Sequence, residues 1–189
     1  MAKCDVCGKG CLLYTSYAGI KRQRKRVYMS DILFQRDNQL FSYRVAGICM
    51  QNRQVLLQRP EHDPGYAFPG GHVAFGETNE ETLAREFKEE LGAQIIVGDL
   101  KWVAEIFFPW DGCACQQICL YYQVELRSAL PRTGCFRGAE ALKGQNPSIQ
   151  FHWVPIDQLK NLTVYPENAA ELMQNLNGGV QHFVYRQTG

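Results

Sequence analysis

The sequence predicts an α/β fold of the α+β kind, a mixed β-sheet covered by helices. Three observations point to it. Runs rich in β-formers come in pairs divided by turn residues, as hairpins do. Two stretches, between Thr78 and Gly92 and from Pro166 to Asn175, space their apolar residues as helices do. A length of 189 residues suits one packed domain with a short appendage.

The elements follow in order from Ser30. Phe41 to Met50 is a strand, Gln51-Asn52-Arg53 a turn, and Gln54 to Gln58 the returning strand. Arg59-Pro60 to Gly65 is a loop. Tyr66 to Val73 is extended, broken at Pro69-Gly70-Gly71, where the backbone must turn sharply. Thr78 or Asn79 can cap the next helix, and Gly92 can close it in the left-handed conformation. Ala93 to Phe108 and Gln116 to Leu126 form a second hairpin around Pro109-Trp110-Asp111-Gly112. Pro131 to Ser148 is rich in turn formers and reads as a mobile loop. Phe151 to Ile156 is a short strand. A terminal helix at Pro166–Asn175 lines up Ala169, Leu172, Met173 and Leu176.

Composition excludes several classes. With 46% apolar and 21% charged residues, the chain has the balance of a soluble globular protein. A net charge of +1 gives no reason to expect a polyanionic partner, which argues against nucleic acid. No apolar run nears the roughly 20 residues of a membrane span. The amino terminus lacks the apolar core of a secretory signal, so the expected location is cytoplasmic and the eight cysteines read as reduced thiols.

Residues 1–28 differ from the rest and are set apart as a basic, Cys-containing leader, with the domain at 29–189. Residues 1–10 resemble the opening of a small bacterial ribosomal large-subunit protein, and the resemblance stops there. Cys4-x2-Cys7 has the spacing of half a zinc ribbon, without the second pair that a complete site needs. Lys21 to Arg26 places five positive charges in six residues, as a nucleic-acid arm or a solvated leader would. The abrupt change in composition suggests Met29 as the natural start, with a misjoined or read-through segment before it.

The chemistry concentrates in Gly71 to Ala93. On a helix, Glu86, Glu89 and Glu90 fall within about a third of the circumference. Leu83, Ala84, Phe87 and Leu91 occupy the adjoining arc. Like charges so close disfavour the helix unless something offsets them, and a divalent cation would.

Read as G-x5-E-x7-R-E-U-x-E-E-x-G-U, with U apolar, these residues resemble the signature of the Nudix hydrolase family at every fixed position. The fixed residues are Gly71, Glu77, Arg85, Glu86, Glu89, Glu90 and Gly92, with Phe87 and Ala93 in the apolar slots. The resemblance extends over roughly residues 39–185. It implies a Nudix-type α/β/α sandwich with a mixed sheet. It also implies an Mg2+-dependent pyrophosphohydrolase, with Mn2+ as an alternative ion, cutting the phosphoric anhydride of a nucleoside diphosphate linked to another moiety. ADP-ribose-like compounds and (oxidised) nucleoside triphosphates are the leading small-molecule substrates.

The same resemblance implies metal ligands at Glu86, Glu89, Glu90 and the Gly70 carbonyl. Arg85 orients Glu86, and Glu77 braces the loop to the helix. Glu86 is the first choice of general base, and Glu140, in the loop after Pro131, is the rival. Arg59, Arg44, Gly71 and Glu140 are the candidate substrate contacts, the two arginines to phosphate, with a basic strand edge that deters aggregation as the alternative for Arg44. Phe107, Phe108, Trp110, Tyr121 and Tyr122 offer faces on which a base could stack. His72 reads as a turn residue rather than a ligand. The bland alternative for Arg85 is a surface pair with Glu81 or Glu89. The alternative function is a Nudix-fold regulator that senses a nucleotide without cleaving it. Oligomeric state is open, a homodimer included.

Overall fold

A computed structural model describes residues 30–61, 64–110, 112–131, 134–138 and 149–187. The leader, its CxxC, its basic run, the Met29 start and Glu140 all lie outside the described residues.

Eleven strands, two α-helices and a 3-10 turn are described, in the order β1 (Leu33–Arg36), β2 (Gln39–Gln51), β3 (Gln54–Pro60), β4 (Tyr66–Ala67), β5 (Gly70–His72), α1 (Asn79–Leu91), β6 (Ile95–Trp110), β7 (Cys113–Leu126), β8 (Cys135–Arg137), β9 (Ile149–Pro155), the 3-10 turn (Ile156–Asn161), β10 (Val164–Tyr165), α2 (Ala169–Gln174) and β11 (Gln181–Arg186). In the larger sheet, β2 pairs with β1 and β5 on one side and with β7 on the other, followed by β6 and β11. The smaller part runs β10-β4-β3-β9-β8. The sheet is mixed: β2–β7, β6–β11 and β4–β10 are parallel, and the remaining pairs are antiparallel.

The β2–β3 hairpin forms where the sequence predicts it. Asn52 and Arg53 both take positive φ (51° and 61°), the backbone of a tight two-residue turn. Only Met50↔Val55 and Gln51↔Gln54 pair across it, after which β2 continues into the larger sheet and β3 turns to β9. One hairpin therefore joins both parts.

Helices cover both faces. On one, α1 buries Leu83, Phe87 and Leu91 against Val45, Cys49 and Val124. On the other, Ala169, Leu172 and Met173 of α2 pack with Trp102, Ala104 and Tyr121. The predicted α/β/α sandwich is thus observed, because two independent apolar clusters each need a helix to exclude water.

Several elements depart from expectation. Strand β6 runs through Pro109 and Trp110, which the sequence predicts to lie in the turn; Trp110 pairs with Cys113, and Gly112 takes φ 75°. The stretch after Pro131, read as a loop throughout, contains β8, whose Cys135–Arg137 pair with β9. The terminal helix is shorter than predicted, and β1, β10 and β11 were not anticipated. The five described cysteines, Cys49, Cys113, Cys115, Cys119 and Cys135, are free thiols. No helix among the described residues is long and apolar enough to cross a membrane.

Thr78 caps α1 through a complete capping box. Its hydroxyl accepts from the Glu81 amide at 3.2 Å, and the Glu81 carboxylate accepts from the Thr78 amide at 2.8 Å. Gly92 ends the helix at φ 67°. Thr78→Ala should destabilise the fold by about 1 kcal/mol, read as a lowered melting temperature. An unchanged melting temperature would show the cap to be redundant.

Candidate active site at the head of helix α1

Strand β5 is short and abuts α1. It pairs with β2 through Arg44↔His72, Val45↔Gly71 and Ala46↔Gly70, which fixes the Gly70-Gly71 turn beside the helix. A Cβ on Gly71 would lie 2.1 Å from Oε1 of Glu86, so the Glu86 carboxylate rests directly on the glycine backbone.

Arg85 organises the helix face. Its Nε donates to Glu77 Oε1 at 2.9 Å, and one terminal nitrogen donates to Glu77 Oε2 at 3.0 Å. The other donates to Glu86 Oε1 at 2.6 Å and Glu89 Oε2 at 3.3 Å. A further bond reaches the His72 carbonyl at 3.3 Å, tying the helix to β5. The guanidinium fork thus holds one carboxylate on two edges and two others at its tip, which a lysine could not do. The surface pair with Glu81 does not form, because Glu81 is committed to the capping box.

The two carboxylates beside Arg85 are pushed in opposite directions. The Arg85 hydrogen bond holds Glu77 below the usual carboxylate range, helped by Thr82. Burial pushes Glu86 up, and Arg85 only partly opposes it. Glu86 is therefore a carboxylate poorly compensated by its surroundings, at 14% side-chain exposure, while Glu89 is half exposed. Glu90 sits one turn beyond Glu86 and is half-buried.

The other predicted residues are distributed unevenly. The Arg44 guanidinium donates to the Gly70 carbonyl. Arg59 lies 5.0 Å over the Tyr66 ring, and its buried Nε has no hydrogen-bond partner among the described residues. His72 stacks on Trp110 with centroids 6.3 Å apart, and burial lowers its pKa. Tyr121 is core, Tyr122 bonds to Asn79, and Phe107 sits under Arg186.

A cavity of about 410 Å³ opens beside Arg44, walled by Phe68, Phe108, Tyr121, Tyr165 and Tyr185 and carrying the amides of Gln117 and Gln187. It falls within the range of small-molecule pockets. Arg59 is not among its walls. Sequence reasoning missed Tyr165, Tyr185, Gln117 and Gln187. The one available signal was the run of β-formers Phe183-Val184-Tyr185 at the carboxyl end.

Among the described residues, no three His, Cys, Asp or Glu side chains converge closely enough to hold a metal ion as they stand. Glu77, Glu86 and Glu89 converge on a guanidinium instead. The donors nonetheless fit a hard divalent cation. They are oxygens, and two of them, the Gly70 carbonyl and Glu86, already attract cationic groups. The glycine at position 71 leaves the space in which Glu86 sits.

The fold and site together are a mixed sheet between helices, presenting a glycine turn against a glutamate-rich helix held by one arginine. The chain belongs to the NUDIX family: the NUDIX domain model matches residues 42–176. Over 95 residues it is 33% identical to the ADP-ribose pyrophosphatase of Methanocaldococcus jannaschii, covering 49% of this chain and 56% of that protein. Over 74 residues it is 40% identical to the putative 8-oxo-dGTP diphosphatase YtkD of Bacillus subtilis, covering 38% of this chain and 46% of that one. The chain spans about half the length of the curated relatives it matches. The crystal structure of the MutT protein from Bacillus halodurans superposes with a TM-score of 0.57 at 18% identity, over 78% of this chain and 90% of that one, a likeness of fold alone.

Proposed function

We propose that this chain is a divalent-metal-dependent pyrophosphohydrolase, Mg2+ being the expected ion and Mn2+ its alternative, acting on a nucleoside diphosphate linked to a second group. The observation that carries the reading is the Arg85 cluster, in which one guanidinium fixes Glu77, Glu86 and Glu89 against the Gly70-Gly71 turn. The relatives named for ADP-ribose and for 8-oxo-dGTP support the two substrate classes, a nucleotide sugar and an oxidised triphosphate.

Glu86, Glu89, Glu90 and the Gly70 carbonyl would hold the ion, which when bound neutralises phosphate charge and acidifies water. The chain's own residues do the rest. Glu86, resting against the Gly71 backbone, accepts the proton of the attacking water. Arg85 keeps Glu86 in one orientation, so no reorganisation is needed at the moment of attack. Arg44 faces the cavity, where it can pair with a phosphate oxygen while the aromatic walls take the base. Arg59 is a second, more distant candidate for phosphate.

Glu90→Gln should lower turnover by at least about a hundredfold while the melting temperature stays within a degree or two, since it removes a ligand charge and little packing. Near-normal turnover would remove Glu90 from the site. Substrate class is tested with ADP-ribose, 8-oxo-dGTP and other nucleoside diphosphate derivatives, with Mg2+, following released mononucleotide or phosphate. Hydrolysis of none of them would overturn the assignment.

A further inference from the structure

We propose that Arg44 is a positioning residue that competes with the divalent cation for the Gly70 carbonyl, and that an anionic ligand in the adjoining cavity relieves the competition. The inference rests on the reading of the site as a metal-dependent one and goes beyond it by coupling metal to ligand through one side chain.

Four observations carry it. First, the Arg44 guanidinium donates to the oxygen of Gly70, the one backbone ligand expected for the metal. Two cations on a single neutral oxygen repel each other, so occupancy by one weakens the other. Second, the two arginines of the site are held very differently. Arg85 is gripped by three carboxylates through hydrogen bonds, whereas Arg44 hydrogen-bonds to an uncharged carbonyl and is drawn to Glu86 through space, without a hydrogen bond. Arg44 is the one that can leave.

Third, Arg44 has somewhere to go. It lines the cavity of about 410 Å³, and among the described lining residues it is the sole charged side chain. An anionic group entering that cavity meets no carboxylate and one guanidinium, and pairing with it draws Arg44 off the carbonyl. Fourth, the backbone at this point cannot yield instead. Gly70 opens β5, paired with Ala46 of β2, at φ 150°, and even a methyl group there would lie 2.2 Å from the Val45 carbonyl. The exchange must therefore be made by the side chain.

Linkage makes the effect reciprocal: whatever removes Arg44 from Gly70 tightens the metal, and the metal in turn frees Arg44 for an anion. Without an anion in the cavity the site holds its metal weakly.

The test uses the full chain without nucleotide, with Mn2+ as the probe and free Mn2+ read by electron paramagnetic resonance. Arg44→Met should bind Mn2+ about tenfold more tightly than the unaltered chain, within the usual range of coupling between sites. A melting curve without metal checks that the variant is folded. A second measurement needs no variant with lost charge: in the unaltered chain labelled with 15N-arginine, Mg2+ should shift the Arg44 side-chain signal, identified by its absence in Arg44→Lys. Equal or weaker Mn2+ binding by folded Arg44→Met overturns the competition and leaves the proposed hydrolase standing. So does an Arg44 signal unmoved at saturating Mg2+. A chain that takes up no Mn2+ in either form overturns the metal-dependent reading itself, and this inference with it.

Discussion

Arg85→Ala should lower kcat by at least about a hundredfold and destabilise the fold by about 2–3 kcal/mol, below the range for breaking a fully buried pair because Arg85 is 27% exposed. Both effects come from the same geometry. Glu77 is only 7% exposed and depends on Arg85 for its charge to be tolerated there. Remove the guanidinium and Glu77 is left buried with the Thr82 hydroxyl as its remaining side-chain partner, while Glu86 loses its orientation. Arg85→Lys restores the charge without the fork, so it should recover part of the stability and little of kcat. Paired measurements of melting temperature and kcat for the two variants check this. If lysine restores kcat fully, orientation by the fork is not what Arg85 supplies.

The two adjacent glycines should respond to alanine in opposite ways. At Gly71 the new methyl would meet the carboxylate of Glu86 at 2.1 Å. That is the free end of a side chain and can swing aside, so Gly71→Ala should fold with a loss of about 1–2 kcal/mol yet lose most of its activity. At Gly70 the methyl would meet the Val45 carbonyl and the Ala46 Cα, at 2.2 and 2.8 Å, with φ at 150°. Backbone cannot swing aside without breaking the β2–β5 pairing. Gly70→Ala should therefore destabilise by more than about 3 kcal/mol and yield little folded protein. Expression yield, melting temperature and kcat of the pair separate the outcomes. A well-folded, active Gly71→Ala would show that Glu86 does not need its place against the turn.

Much of the helix could be read in advance because its determinants are local. Thr78 and Glu81 stand three residues apart, Gly92 closes the last turn, and Glu86, Glu89 and Glu90 share a face by periodicity alone. The hairpin at Asn52-Arg53 was legible for the same reason, since its turn residues announce themselves. The role of Pro109 was misread because proline and glycine mark a turn by composition, and composition does not show that β6 carries the chain through to Trp110 before turning. The stretch after Pro131 was misread because three residues of β8 are too few for any alternation to stand out.

By itself, the sequence determined the family-defining helix, its caps, the glycine turn before it, and the sandwich of a mixed sheet between helices. Only the tertiary structure decided that Arg44 sits on the Gly70 carbonyl, 26 residues away, and that Tyr165, Tyr185 and Gln187 close a cavity against Phe68 and Gln117. Strand β11 shows why. Its place beside β6 is a parallel pairing of Gln181–Arg186 with Trp102–Phe107, reached through a crossover of more than seventy residues. Helical periodicity is written in neighbours along the chain, whereas a cavity wall is made by residues that meet only after the sheet has assembled.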